Sequence, residues 1–181
     1  MRIIGGKFKS RVLAQFDGES VRPTSDRVKE SLFNILFLKI RGKRVLDLFS
    51  GSGAIGLECL SRDAKEVVFN DFSKDSLQIL RKNLRSLKVA EGESVKVKNL
   101  DYLLCLQGET KPFGLIFIDP PYKSDFGQKA LEKIAERNLL DEDGIAVFES
   151  DNPTEIKVAG LQLYDKRKYG KTFLFFYQRS E

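Results

Sequence analysis

The sequence predicts an α/β fold: a mostly parallel, seven-stranded sheet with helices on both faces, a carboxy-terminal antiparallel hairpin and a small amino-terminal β-hairpin or arm. Three observations predict it. Short apolar strand-like runs alternate with helical stretches from Arg44 to Glu149, the pattern of a doubly wound sheet. A glycine-rich turn follows the first of those runs directly, at Ser50-Gly51-Ser52-Gly53. Two final strand-like runs, Leu161 to Tyr169 and Lys171 to Arg179, flank Gly170 with no helix between them, which is a hairpin signature.

The elements follow in order. Residues 1–21 mix apolar and basic positions around Gly5-Gly6 and Asp17-Gly18, as in a small hairpin or extended arm. Thr24 or Ser25 can cap a helix reaching about Ile40, with Val28, Leu32, Phe33, Ile35 and Leu36 on its apolar side. Strands are expected over Arg44–Phe49, Glu66–Asn70, Ser94–Lys98, Gly114–Ile118 and Gly144–Glu149. Between them lie helices over Ala54–Ser61, Lys74–Leu87, Tyr102–Gln107 and about Gln128–Asn138. No internal repeat or linker divides the chain, so residues 1–181 read as one domain with residues 1–21 as an appendage.

Composition narrows the chemistry. The chain has 181 residues, 41% hydrophobic and 31% charged, which suits a globular protein. Its longest apolar stretch, Leu32 to Ile40, is interrupted by Asn34 and Lys39 and is too short to span a bilayer. There is no histidine, and Cys59 and Cys105 are far apart. No metal site is therefore expected, and Ser-His-Asp and Cys-His catalysis are excluded. The cysteines read as reduced core residues of a cytoplasmic protein. The net charge of +5 is unevenly spread: Met1 to Arg44 holds 11 Lys+Arg against 4 Asp+Glu, leaving a net of −2 for the rest. A basic amino-terminal region suggests a polyanionic partner, though a solvated basic surface gives the same composition.

Asp47-Leu48-Phe49-Ser50-Gly51-Ser52-Gly53-Ala54-Ile55-Gly56 joins a buried strand to a helix. Glycines admit a tight turn and close backbone approach, and a helix start offers free N–H groups. Gly51, Gly53 and Gly56 satisfy G-x-G-x-x-G, and Asp71 follows at the end of the next strand, where a carboxylate can hold a ribose hydroxyl pair. The pattern alone fits a nicotinamide dinucleotide or S-adenosylmethionine. Asp47 favours the latter, because a carboxylate repels a pyrophosphate and attracts an ammonium and a sulfonium. It can equally brace the loop through backbone N–H groups. Ser50 and Phe72 complete the expected cofactor contacts. Asp101 can accept from an adenine amino group with Tyr102 or Leu100 against the ring, or it can cap a helix.

Leu115-Ile116-Phe117-Ile118-Asp119-Pro120-Pro121-Tyr122 is the most specific segment. An apolar strand ends in an acid, two prolines and an aromatic, at the edge where such sheets bind ligands. The prolines fix the backbone and remove two N–H donors. The Asp119 carboxylate and the Pro120 carbonyl can accept the two hydrogens of a nucleobase amino group, whose lone pair is otherwise delocalised. Pro121 stiffens the turn, and Tyr122 can stack on the base.

These motifs resemble those of amino-methyltransferases acting on DNA, RNA and some proteins, with a Rossmann-like class I methyltransferase fold. A narrower resemblance begins at Arg2-Ile3-Ile4-Gly5-Gly6 and continues through Arg22-Pro23-Thr24-Ser25-Asp26-Arg27-Val28-Lys29-Glu30-Ser31-Leu32-Phe33-Asn34 to Tyr177-Gln178-Arg179. It is to the RsmD family of 16S rRNA guanine-N2 methyltransferases. The resemblance implies S-adenosylmethionine as cofactor and a guanine of 16S rRNA as substrate, in the small ribosomal subunit or an assembly intermediate. A monomer without a membrane partner is expected. Arg2, Lys7, Lys9, Arg11, Arg22 and Arg27 are the expected contacts to RNA phosphates. Three alternatives stay open: a DNA adenine-N6 or cytosine-N4 methyltransferase, a nicotinamide-dependent oxidoreductase, and a non-catalytic RNA-binding protein.

Overall fold

The computed structural model describes residues 1–16, 26–121 and 124–180. Arg22, Pro23, Thr24, Ser25 and Tyr122, all singled out above, lie outside the described residues. The described elements begin with α1 (Asp26–Ile35), β1 (Arg44–Asp47), α2 (Ala54–Ser61), β2 (Glu66–Asn70) and α3 (Lys74–Ser86). They continue with β3 (Val95–Lys98), α4 (Tyr102–Gln107), β4 (Phe113–Ile118), α5 (Phe126–Glu136), β5 (Leu140–Ser150), β6 (Leu161–Tyr169) and β7 (Thr172–Arg179).

The strands form one sheet in the order β3-β2-β1-β4-β5-β7-β6. β1 to β5 are mutually parallel and β7 runs antiparallel between β5 and β6. The winding direction reverses between β1 and β4, which opens a crevice at their carboxyl ends. Strand alternation divides the core. Val45, Val67, Phe69, Leu115 and Phe117 pack with α1, α2 and α3 on one face. Leu46, Val68, Ile116 and Ile118 pack with α4 and α5 on the other. Successive strand residues point to opposite faces, so both faces of the central strands are covered and those strands read as unbroken apolar runs.

Two boundaries differ from expectation by four or more residues. The helix expected to reach Ile40 ends at Ile35, and Phe37–Lys39 tightens into a 3₁₀ turn. The tighter turn suits a helix terminus and leaves Leu36 and Ile40 buried while Phe37 and Leu38 face outward. β5 starts at Leu140 rather than near Gly144, because Leu140 pairs with Phe113 before a bulge shifts the register to Leu115 and Ile145. The acidic run Asp141-Glu142-Asp143 resembles a turn in sequence but continues the strand.

The amino-terminal residues form a loop closed by one antiparallel bridge, Arg2 to Val12, around a 3₁₀ turn at Gly6–Phe8. Ile3 and Leu13 are buried in the α1–α3 core. Polar groups of the helices seat this segment. Glu58 accepts from Ile4 N (2.8 Å), Gly5 N (2.8 Å) and Arg62 Nε (3.0 Å), and it pairs with the buried Lys29 ammonium at 3.3 Å. Lys29 also donates to Arg2 O. A buried ion pair so fully hydrogen-bonded fixes a geometry more than it adds stability. Gly6 has φ +74, and a Cβ there would collide with the Ser61 backbone carbonyl.

Candidate active site

Asp47, Asp119 and Glu149 stand at the carboxyl ends of the neighbouring strands β1, β4 and β5. Asp47 registers with Phe117, Leu48 N donates to Phe117 O at 3.1 Å, and Ile118 registers with Phe148. The glycine turn and the Asp119-Pro120-Pro121 turn therefore leave adjacent strands at one edge. Alternation puts Asp47, Asp119 and Glu149 on the α1–α3 side.

The glycine turn is held from several directions. Asp47 is buried, and its Oδ2 accepts from Gly56 N at 2.9 Å. Asp71 Oδ2 accepts from Gly51 N and its Oδ1 from Ser73 N, both at 2.8 Å. Gly53 N donates to Ser50 O at 2.7 Å, and Ser50 N to Asn70 O at 2.9 Å. Gly51 and Gly53 have φ of +53 and +82, which only glycine adopts readily. Their surroundings differ. A Cβ on Gly53 would overlap Leu80 Cδ1, and one on Gly56 would overlap the Phe69 ring, whereas a Cβ on Gly51 would meet nothing within 4 Å. Gly53 and Gly56 thus serve close packing of turn and helix, and Gly51 faces open space.

Two residues absent from the sequence reading complete this turn. Asn70, buried at the end of β2, donates to Leu48 O (3.1 Å) and Leu100 O (3.2 Å) and accepts from Leu100 N. Asn83 of α3 donates to Ser52 O at 2.9 Å and exchanges two hydrogen bonds with the Ala14 backbone. It ties the amino-terminal segment to the glycine turn. A buried amide needs several partners at once, and neither residue shows that need in sequence.

Asp101 caps α4, its Oδ1 accepting from Leu103 N (2.9 Å) and Leu104 N (3.4 Å); both carboxylate roles weighed for it remain compatible, through different oxygens. Tyr102 is buried and stacks on Phe126 with centroids 4.8 Å apart, with Phe49 5.3 Å away. Phe49 and Phe126 were not anticipated; α5 begins at Phe126, two residues before the expected start. Phe72 is 79% exposed and its carbonyl accepts from Asn99 Nδ2. Ser50 Oγ is buried with no hydrogen-bond partner among the described residues.

The Asp119 turn is less constrained. Asp119 and Pro121 are exposed and Pro120 is half-buried. Among the described residues nothing donates a hydrogen bond to the Asp119 carboxylate. Asp119 is open to solvent, yet the protein packed around it desolvates its carboxylate. This desolvation, with the Glu149 and Asp47 carboxylates nearby, holds its pKa well above the usual carboxylate range. Asp47 is pushed up to about 7 by burial, with Asp71 adding to the shift and the Gly56 N–H opposing it.

The basic residues separate in space. Arg2, Lys7, Lys9, Arg11 and Arg27 are exposed. Phe8 N bonds Ser61 Oγ at 2.9 Å, so Lys7 and Lys9 flank the carboxyl end of α2, remote from the edge that carries Asp119. Arg11 reaches the carbonyl of Ser86 at the end of α3. Cys59 and Cys105 are free and buried. No group of residues able to hold a metal, and no helix long and apolar enough to cross a membrane, is found among the described residues.

Residues 1–178 match the family model described as Conserved hypothetical protein 95. The chain is 38% identical over 154 residues to Ribosomal RNA small subunit methyltransferase D of Haemophilus influenzae, covering 83% of this chain and 79% of that one. It is 33% identical over 181 residues to the protein of the same name from Escherichia coli K12, covering 99% and 90%. Among solved structures, the Escherichia coli protein yhhF matches with a TM-score of 0.85 at 32% identity, over 99% of this chain and 97% of that one. The ribosomal protein L11 methylase of Lactobacillus delbrueckii subsp. bulgaricus shares the fold with a TM-score of 0.71 at 15% identity, over 96% and 88%. The architecture is that of the class I methyltransferases.

Proposed function

The chain belongs to the Conserved hypothetical protein 95 family, the RsmD family, and from that premise we propose that it is an S-adenosylmethionine-dependent methyltransferase of ribosomal RNA. Its proposed target is the exocyclic N2 amino group of a guanine in 16S rRNA, within the small subunit or an assembly intermediate. It acts in the cytoplasm, as a monomer of one domain. The observation that carries this reading is the adjacency of the two turns: a braced glycine turn on β1 beside an Asp-Pro-Pro turn on β4.

The residues present suit the cofactor. Gly51 faces open space, and Ser50 carries a buried hydroxyl with no hydrogen-bond partner among the described residues. Asp71 retains lone pairs beyond those used by Gly51 and Ser73, enough for a ribose hydroxyl. Asp47 lies where a cationic ligand would be stabilised, and Gly53 keeps the turn close to α3. Tyr102, with Phe49 and Phe126, offers an aromatic wall for an adenine, and Asp101 a free carboxylate oxygen for its amino group. Phe72, exposed beside Asp71, is assigned to cover the ribose. When bound, S-adenosylmethionine supplies a methyl already activated by a sulfonium.

The chain's own part is to hold the amine. The Asp119 carboxyl and the Pro120 carbonyl accept its two N–H groups, which draws the nitrogen toward tetrahedral geometry and aims its lone pair. Pro121 fixes the turn, and Tyr122 is assigned to the face of the base. As the new N–C bond forms, the nitrogen becomes acidic and one proton must leave. A carboxyl with raised proton affinity suits that late transfer, after which water removes the proton. Alignment of the two reactants supplies much of the remaining acceleration. Arg2, Lys7, Lys9, Arg11, Arg22 and Arg27 are assigned to RNA phosphates.

The test is mass spectrometry of 16S rRNA from cells lacking the protein, with methyl transfer measured on their small subunits and on naked DNA. Loss of one N2-methylguanine, restored by the purified protein, is expected. Methylation of DNA with no change in the rRNA would overturn the proposal.

A further inference from the structure

The β6–β7 hairpin ends at the same edge of the sheet as Asp119. Ser150, at the carboxyl end of β5, registers with Phe173, and Tyr169 registers with Thr172 across the turn. Leu174 lies between Glu149 and Arg167 in the register. Going from Asp119 across β5 and β7 to β6 takes three strand spacings, about 14 Å.

Charge is concentrated at this end. The first half of β6, Leu161-Gln162-Leu163-Tyr164, has no cation, whereas Asp165-Lys166-Arg167-Lys168-Tyr169-Gly170-Lys171 has four cations and one acid. Lysines on an edge strand commonly serve to block pairing with other sheets. That role predicts cations along the whole edge, and here they gather at the turn. Their partners differ as well. Arg167 is paired with Asp165 at 2.9 Å, and Lys166 reaches Pro153 O and Glu155. Lys168 and Lys171 are exposed and have no acidic partner among the described residues; Lys168 lies 5.5 Å from the centre of the Phe173 ring. Gly170, with φ +61 and nothing within 4 Å of a would-be Cβ, makes the turn narrow and open.

We propose that the β6–β7 turn, through Lys168 and Lys171, is an RNA-backbone contact that grips phosphates flanking the base presented to Asp119. The inference rests on the reading of the substrate as RNA. It differs from the contacts assigned to the amino-terminal segment, since Lys7 and Lys9 lie beside the carboxyl end of α2. Two ammonium groups with no acidic partner among the described residues, at the same sheet edge as Asp119, act on any sequence, position the strand, and release counterions when it binds.

The test compares wild-type protein with Lys168→Ala/Lys171→Ala and with Lys171→Ala alone, which leaves the Lys168–Phe173 contact intact. The control is Lys65→Ala/Lys111→Ala, two exposed lysines preceding β2 and β4 at the opposite edge. The probe is small ribosomal subunits from cells lacking the protein, with binding and methyl transfer measured across a salt series. The double variant is expected to bind these subunits about 10- to 100-fold more weakly. The slope of log affinity against log salt should fall in magnitude by roughly one to two. Turnover at saturation, cofactor affinity and melting temperature should not change, and the control should behave as wild type. Lys171→Ala should show a smaller loss of the same kind. Unchanged affinity and slope in the double variant, or an equal loss in the control, would overturn the inference even while the wild type methylates the subunits. Wild-type protein that neither binds nor methylates the subunits would overturn both this inference and the function it rests on.

Discussion

The two turns that meet at the edge of the sheet are built in opposite ways. The glycine turn is bonded to its surroundings at almost every backbone group: Asp71 holds Gly51, Asp47 holds Gly56, Asn70 holds Ser50 and Asn83 holds Ser52. The Asp119 turn carries two prolines and one described hydrogen bond, Ser124 Oγ donating to Pro121 O at 2.7 Å, and its carboxylate has no donor among the described residues. Turns that receive a ligand of fixed shape benefit from preorganisation. A turn that must grip an amine and let it go as a methylated product is better served by acceptors left open. The difference assigns cofactor affinity to the first turn and chemistry to the second, and substitutions can separate the two.

Asp119→Ala should produce the largest effect, a fall in turnover of about 10²- to 10⁴-fold, with cofactor affinity within about twofold of wild type by calorimetry. Asp71→Ala should act on the other side: it frees the N–H groups of Gly51 and Ser73, weakens the cofactor about 10-fold or more, and lowers unfolding free energy by about 1–3 kcal/mol in urea titration. A loss of turnover at saturating cofactor as large as that of Asp119→Ala would erase the distinction. Gly53→Ala combines positive φ with a clash against Leu80 and should cost about 2–3 kcal/mol.

The next effect concerns pH. The Asp47 carboxyl is raised in the folded protein to about 7, from 3.8. The fold therefore disfavours its ionised form. The stability it allows is fully present below about pH 4 and is lost as pH rises through about 7. Asp119 contributes in the same direction. Unfolding free energy of the cofactor-free protein should decline by a few kcal/mol between pH 4 and pH 8, and Asp47→Asn should remove part of that slope, the remainder belonging to Asp119. A cationic ligand favours ionised Asp47, so cofactor affinity should rise from pH 6 to pH 8 more steeply in wild type than in Asp47→Asn. Gly51→Ala should be the mildest change to stability, about 1 kcal/mol, because its φ is positive but its space is open; its cost should show instead in cofactor affinity.

Features that repeat with strand or helix period were legible in the sequence. The alternation of apolar runs and helices gave the sheet, and the strand ends gave Asp47, Asp71 and Asp119 their common edge. The strand order was not legible in the pattern, because which strands become neighbours is a long-range property of the fold. What escaped was set by tertiary geometry. Asn70 and Asn83 are ordinary surface-type residues until the fold places several backbone groups around each. Phe49 and Phe126 are 77 residues apart in numbering and become neighbours only when β1 and α5 reach the same edge. The distance between the carboxyl end of α2 and the crevice likewise depends on a fold that basic residues 7 and 9 do not encode locally. The three glycines of the fingerprint also differ in a way the sequence does not show: Gly51 faces open space, whereas Gly53 and Gly56 are required by packing.

The seat of the amino-terminal segment bears on how the molecule is made. Ile4 and Gly5 find their acceptor on Glu58, more than 50 residues later, and Ala14 finds its amide partner 69 residues later. During synthesis at about 5–20 residues per second, these residues must wait several seconds before α2 and α3 exist to receive them. This segment therefore docks only after α2 and α3 have formed, and because Asn83 bonds both Ala14 and Ser52, its docking and the closing of the glycine turn share one side chain.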